Sequence, residues 1–234
     1  MRIEDIRTVG VAGAGSMGAG IAQVAAQSGF QVKVVDVSDA VWARARKTIS
    51  GSLERMLKKE KITADQMKET LDRISFSADV NSLSGVPFVF EAVFEDVDVK
   101  KEFFGKLDAI CGEETVYATN TSSISITEMA ALVKRPAKFV GMHFFNPVPM
   151  MQLVEVIPAM QTEKATTELA LAMSARLGRV APDAAIMIGA AAPAVLVCAR
   201  GWAVPCGPPS ASAEPQPQAA KTSAAACESV PRPA

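Results

Sequence analysis

The stretch TVGVAGAGSMGAGIAQ, residues 8–23, constrains the fold of this 234-residue chain more than any other. Val9 to Ala12 is a short apolar run suited to a buried parallel strand. Gly13, Gly15 and Gly18 follow with the spacing GxGxxG. Ile21, Val24 and Ala25 then recur at helical spacing, and Gly29 ends the run. Val32, Val34 and Val35 form a second apolar strand closed by Asp36. Strand, glycine loop, helix and strand make one βαβ unit, so a parallel sheet is the expected frame.

The spacing has a physical reading. Gly13 permits a tight turn, Gly15 lets the backbone approach a diphosphate, and Gly18 lets the helix pack closely on the strand. A diphosphate is expected at the free N–H groups of the helix start, among Gly13, Ala14, Gly15, Ser16, Met17 and Gly18. Asp36 follows Gly18 by 18 residues. A carboxylate there accepts hydrogen bonds from ribose hydroxyls and repels a 2′-phosphate, which favours NAD over NADP.

Downstream, VSDAVWARARKTISGSLERMLKKEKI reads as a long helix capped by Ser38. TADQMKETLDRI reads as a second helix, with Thr63 and Gln66 as a capping box. Pro87 to Val93 is an apolar strand, followed by a helix near Val99 to Ile110. Thr115 to Ala118 and Lys138 to His143 read as further strands, and Ser125 with Glu128 as a capping box for a helix through Val133. The fold class is α/β, a doubly wound parallel sheet with an inserted helical pair.

Two polar clusters fall at strand ends, where ligands bind in such sheets. The first is NTSS, residues 120–123. Ser125 already fills the cap of the next helix, which leaves Asn120, Thr121 and Ser122 for another role. The second is GMHFFNPVP, which holds the only histidine of the chain, His143. A lone histidine is more often a packed core residue than a catalyst. Glu155 lies twelve residues on, in LVEVI, where apolar neighbours alternate around one acid as in a half-buried strand. Pro147 and Pro149 suit a turn that returns the chain. An imidazole held by a carboxylate is the usual way to fix its tautomer and raise its basicity, although spacing alone favours an exposed strand position for Glu155.

GAGSMGAGIAQ, EAVFEDVDVKK, NTSSISITEMA and GMHFFNPVPMMQLVEVI together resemble the 3-hydroxyacyl-CoA dehydrogenases, with the bacterial 3-hydroxybutyryl-CoA dehydrogenases nearest, from about residue 8 to about residue 180. The resemblance implies NAD-dependent oxidation of a short-chain (S)-3-hydroxyacyl-CoA. It implies that His143 is the general base and acid, that Glu155 orients it, and that Ser122 bonds the substrate oxygen. It places Asn120 against the cofactor, and Glu95 and Lys100 at the adenosine and ribose portions of NAD. Ser52 and Lys59 match the family's CoA-contacting pair. They are seven residues apart, about two helical turns, and so share one face. Without the resemblance, a lysine among KKEK reads first as a solvated side chain.

Charge excludes other partners. Lys and Arg number 24 and Asp and Glu 25, a net charge of -1, which gives no electrostatic case for nucleic acid or a membrane surface. Four cysteines without CxxC spacing and a start without an export signal fit a reducing, cytoplasmic setting. No metal site is expected.

Residues 181–234 depart from the pattern. They hold nine of the 14 prolines and three of the four cysteines, crowded with alanine. The apolar run Ala184 to Ala199 is broken by Pro193 and falls short of the roughly 18 to 20 residues of a spanning helix. From about residue 205 the chain reads as disordered. The resembled family continues instead into an all-helical domain that supplies the dimer interface, covers the acyl end of the substrate and adds a catalytic asparagine. Two alternatives therefore stand beside an active dehydrogenase: a dinucleotide-binding fragment without turnover, and a lysine-dependent 3-hydroxy acid dehydrogenase, against which HFFNPVP and the Ser52/Lys59 spacing argue. A tail translated in a shifted frame is the expected source of the break. Reading the coding DNA in its other two frames is expected to uncover a proline-glycine-phenylalanine segment followed by an asparagine-arginine pair, and neither frame holding one would refute the shift.

Overall fold

The computed structural model describes residues 1–181, and the expectations for 182–234 lie outside the described residues. Seven strands form one sheet: β1 (Thr8–Ala12), β2 (Gln31–Val35), β3 (Ile74–Ser77), β4 (Phe88–Glu91), β5 (Val116–Thr119), β6 (Phe139–Phe144) and β7 (Val154–Pro158). Their order is β3-β2-β1-β4-β5-β6-β7. The first six are mutually parallel, and β7 pairs antiparallel with β6. The helices are α1 (Ser16–Gln27), α2 (Asp39–Lys58), α3 (Ala64–Asp72), α4 (Val97–Ile110), α5 (Ile126–Ala130) and α6 (Lys164–Arg176).

Alternation along the strands divides the core into two layers. Val9, Val11, Phe88, Phe90, Val140 and Met142 face a layer shared with α1, α2 and α6. Val89, Tyr117 and Phe139 face the layer of α4 and α5. Strands buried on both faces explain the near-continuous apolar runs of the sequence.

The expected doubly wound sheet and the inserted pair, α2 with α3, are both present. Several local expectations are corrected. The sheet is mixed rather than wholly parallel, because the Pro147–Pro149 connection is too short for a crossover helix and returns the chain as a hairpin. β3 was absent from the expected strands: its four residues expose one face at the sheet edge, which gives too short an apolar run to notice. Ser38 precedes α2 but makes no side-chain cap, and its backbone carbonyl takes the N–H groups of Val41 and Trp42. The Thr63–Gln66 capping box is complete. At Ser125 only the serine half forms, the hydroxyl accepting from the Glu128 N–H, and α5 ends at Ala130 rather than Val133. Among the described residues no helix is long and apolar enough to cross a membrane.

Strand order reverses between β1 and β4, so a crevice opens between the loops that follow them. Two glycines there are dictated by space. Gly13 has φ +88°, and a Cβ on it would lie 2.4 Å from the Ala92 carbonyl oxygen. A Cβ on Gly18 would lie 1.8 Å from the Gly13 carbonyl oxygen, so α1 touches the turn below it. Backbone cannot yield as a side chain can. Gly18→Ala is expected to destabilise the fold by about 1–3 kcal/mol in urea denaturation, and a loss under about 0.5 kcal/mol would contradict the contact.

Candidate active site

Two cavities meet above the strand ends. One, of about 330 Å³, is lined by Met17, Glu95, Asn120, Ser122, His143 and Phe145 among others. The second, of about 820 Å³, is lined by Gly13, Gly15, Asp36, Arg44 and Phe94 among others. Ala92 and Val93, just after β4, line both, so the cavities form one cleft across the switch point.

The larger cavity fits a dinucleotide. A Cβ on Gly15 would meet nothing within 4 Å, so the loop faces open space where a diphosphate can approach the backbone. Gly15 is the N-cap of α1 and no side chain caps the helix, which leaves its first N–H groups for a ligand. Asp36 stands at the far end of β2, with Val37 and Phe94 offering exposed apolar surface beside it. Its Oδ2 accepts the Ala14 N–H at 2.6 Å and its Oδ1 accepts the Val37 N–H at 2.6 Å. The Ala14 N–H bond to Asp36 ties the glycine loop to β2. Ser16 and Met17, in the first turn of α1, are exposed and half-buried. Gly18 is buried and shapes the loop from beneath.

In the smaller cavity the hairpin decides the chemistry. His143 on β6 stands directly opposite Glu155 on β7, and opposed residues project to the same face. His143 Nδ1 lies 2.8 Å from Glu155 Oε2. The pair is partly exposed, at 20% for the imidazole and 28% for the carboxylate, so it is reachable yet shielded. With Nδ1–H donating to Glu155, Nε2 is left without a partner among the described residues and available as a base. The Phe145 ring packs on the imidazole at 4.7 Å between centroids. Asn120 Oδ1 accepts the Phe144 N–H at 2.9 Å, which locks β5 to the residue after His143.

Glu95 lines the His143 cavity and not the Asp36 cavity. It accepts from the Thr121 hydroxyl, from the Ser122 N–H at 3.2 Å and from the Ser123 hydroxyl at 3.4 Å. Lys100 has no exposed surface, and its ammonium bridges Glu91 Oε1 at 2.6 Å and Glu95 Oε2 at 3.3 Å. Ser52 is half-buried on α2 and Lys59 is its exposed C-cap, and neither lines either cavity. Glu91, fully buried at the end of β4, was missed in the sequence. The signal was there, an acid inside the apolar run PFVFEAV. Among the described residues no group of three or more His, Cys, Asp or Glu side chains is placed to hold a metal ion.

Burial pushes the Glu95 carboxyl up, but the Thr121 hydroxyl, the Lys100 ammonium and the Ser122 N–H outweigh it and hold the group below the ordinary carboxylate range. A depressed folded-state value contributes stability above the unfolded-state pKa, roughly 4.3, and loses it as pH falls through the folded-state value. The stability gap between wild type and Glu95→Gln should therefore be full at neutral pH and narrow on acidification below about pH 4.3. Thermal unfolding of both proteins across that range checks it, and a gap that widens on acidification would contradict the assignment.

Residues 8–183 match the family described as 3-hydroxyacyl-CoA dehydrogenase, NAD binding domain. A probable 3-hydroxybutyryl-CoA dehydrogenase of Bacillus subtilis is 41% identical over 179 residues, covering 76% of this chain and 62% of that protein. The mitochondrial hydroxyacyl-coenzyme A dehydrogenase of Rattus norvegicus is 42% identical over 180 residues, covering 74% of this chain and 57% of that protein. The crystal structure of (S)-3-hydroxybutyryl-CoA dehydrogenase from Ralstonia eutropha superposes with a TM-score of 0.73 at 46% identity, covering 75% of this chain and 62% of that one. The chain spans about three fifths of the length of these relatives.

Proposed function

The chain belongs to the 3-hydroxyacyl-CoA dehydrogenase family, of which it carries the NAD-binding domain, and we propose that it oxidises short-chain (S)-3-hydroxyacyl-CoA thioesters such as 3-hydroxybutyryl-CoA to the 3-ketoacyl form. The observation that carries this reading is the His143–Glu155 pair, 2.8 Å apart at the cavity that Met17 of the glycine loop also lines.

NAD, when bound, supplies the hydride acceptor. The residues that would hold it are the Gly13–Gly18 loop, Asp36 at the adenosine ribose, and Glu95 and Asn120 toward the nicotinamide. Through Nε2, His143 takes the 3-hydroxyl proton of the substrate, and Glu155 stabilises the imidazolium that forms. In reduction the same imidazolium returns the proton to the alkoxide, a double role that suits a histidine near neutral pH. The Ser122 hydroxyl, on the cavity wall, hydrogen-bonds the substrate oxygen beside the reacting carbon. Ser52 and Lys59 lie off the cleft, so they serve the CoA nucleotide on the surface of α2 while the pantetheine arm delivers the acyl group. A cytoplasmic setting belongs to the same reading and fits the free, buried thiol of Cys111.

A second reading is NAD binding without turnover. The observation favouring it is the span of the match, about three fifths of the relatives' length. NADH oxidation by acetoacetyl-CoA on the full chain, with NADH binding titrated in parallel, separates the two. Turnover is expected, and His143→Asn should lower it by about 10² to 10⁴ while leaving NADH binding intact. Near-normal turnover in His143→Asn would refute the mechanism, and NADH binding without turnover in the wild type would establish the second reading.

A further inference from the structure

The buried charges beneath the cleft have no part in the proton transfer. Glu91 and Lys100 both have side chains with no exposed surface. Taking two charges out of water costs several kcal/mol each and is repaid only by good geometry and further hydrogen bonds. Those bonds are present. Glu91 Oε1 accepts from Lys100 Nζ at 2.6 Å and from the Val93 N–H at 2.8 Å, and Oε2 accepts from the Thr119 hydroxyl at 2.5 Å. The Glu91 carbonyl accepts the Asn120 N–H at 2.7 Å.

The partners of Glu91 are not random core residues. Val93 lines both cavities. Thr119 is the last residue of β5, directly before Asn120. Lys100 continues to Glu95 Oε2 at 3.3 Å, and Glu95 Oε1 in turn accepts from the Thr121 hydroxyl and the Ser122 N–H. One buried carboxylate thereby reaches three parts of the cleft wall: the loop after β4, the end of β5, and the Glu95–Ser122 contact.

We infer that Glu91 is a positioning residue, whose carboxylate sets the place of Lys100 and through it holds Glu95 and Ser122 at the cofactor-facing wall. Glu91 lines neither cavity, so it acts only through these partners. The inference rests on the NAD reading of the cleft. It holds whether or not the Lys100 ammonium also meets the cofactor, because Glu91 fixes that ammonium in either case.

The experiment measures NADH affinity by fluorescence and Tm, on the full chain, for wild type, Glu91→Gln, Lys100→Met and the double variant. Glu91→Gln keeps the size of the side chain and removes its charge. It leaves a buried ammonium short of a partner, so Tm falls. The double variant removes both charges and is expected to recover most of that Tm, since a buried pair is replaceable by neutral groups of similar volume. NADH affinity is expected to fall roughly tenfold in Glu91→Gln, the scale on which groups one step behind a site tune it, and to stay low in the double variant. Wild-type affinity in a folded Glu91→Gln would overturn the inference, as would a double variant that regains both Tm and affinity, because the pair would then be structural only. A wild type that binds no NADH would overturn the cofactor reading and the inference with it.

Discussion

The facing of His143 and Glu155 across the β6–β7 hairpin is the contact on which the site depends. Side chains alternate along a strand, so a slip of one residue would carry Glu155 to the opposite face and leave the imidazole alone. The register is held from outside the hairpin. The connection between its strands packs on α1, where a Cβ on Gly20 would come within 2.7 Å of the Val148 Cβ. Within β6, Gly141 makes room for Ile126 of α5, whose Cδ1 would lie 2.8 Å from an added Cβ. The helix whose start faces the dinucleotide is therefore also the floor under the loop beyond His143. The position of the base and the position of the cofactor loop are set by one element.

The sheet's switch point supplies the other half of the arrangement. Loops after β1 and β4 diverge there and leave a cleft that no rearrangement has to create. Its two ends differ in chemistry. Around Asp36 the walls combine a carboxylate with exposed apolar side chains such as Phe94, at 77% exposure, which suits an adenosine. Around His143 the walls set the polar side chains of Glu95, Asn120, Ser122 and His143 among apolar ones such as Met17 and Phe145. Beneath both, Glu91 and Lys100 are buried where solvent screens their charges little, and Lys100 reaches up to the partly exposed Glu95.

Much of this was legible in the sequence, for identifiable reasons. GxGxxG between an apolar strand and a helix has few physical meanings, and Gly13 and Gly18 are where the structure has no room for a Cβ. The strand containing Glu155 was readable from alternation, and the prolines before it signalled the return. What could not be read was direction and depth. Nothing in LVEVI says antiparallel, and the spacing favoured an exposed strand position for the glutamate that faces His143 at 2.8 Å. Lys100 was matched to the cofactor by resemblance alone; its burial, between two carboxylates from β4 and the following loop, has no signal in DVDVKK. Asp36 was read through its ligand, whereas its carboxylate also ties down the loop through Ala14. Contacts between distant segments, such as Asn120 with Phe144, depend on strand order and leave no local trace.

The central claim is that Glu155 fixes His143 with its proton on Nδ1 and its lone pair on Nε2, toward the cleft. The chain has a single histidine, so one imidazole reports on it without assignment. Nitrogen NMR of labelled protein at alkaline pH reads the tautomer directly. The account predicts the Nδ1–H tautomer in wild type and its loss in Glu155→Leu. A wild-type imidazole protonated on Nε2, or a tautomer indifferent to Glu155, would contradict it.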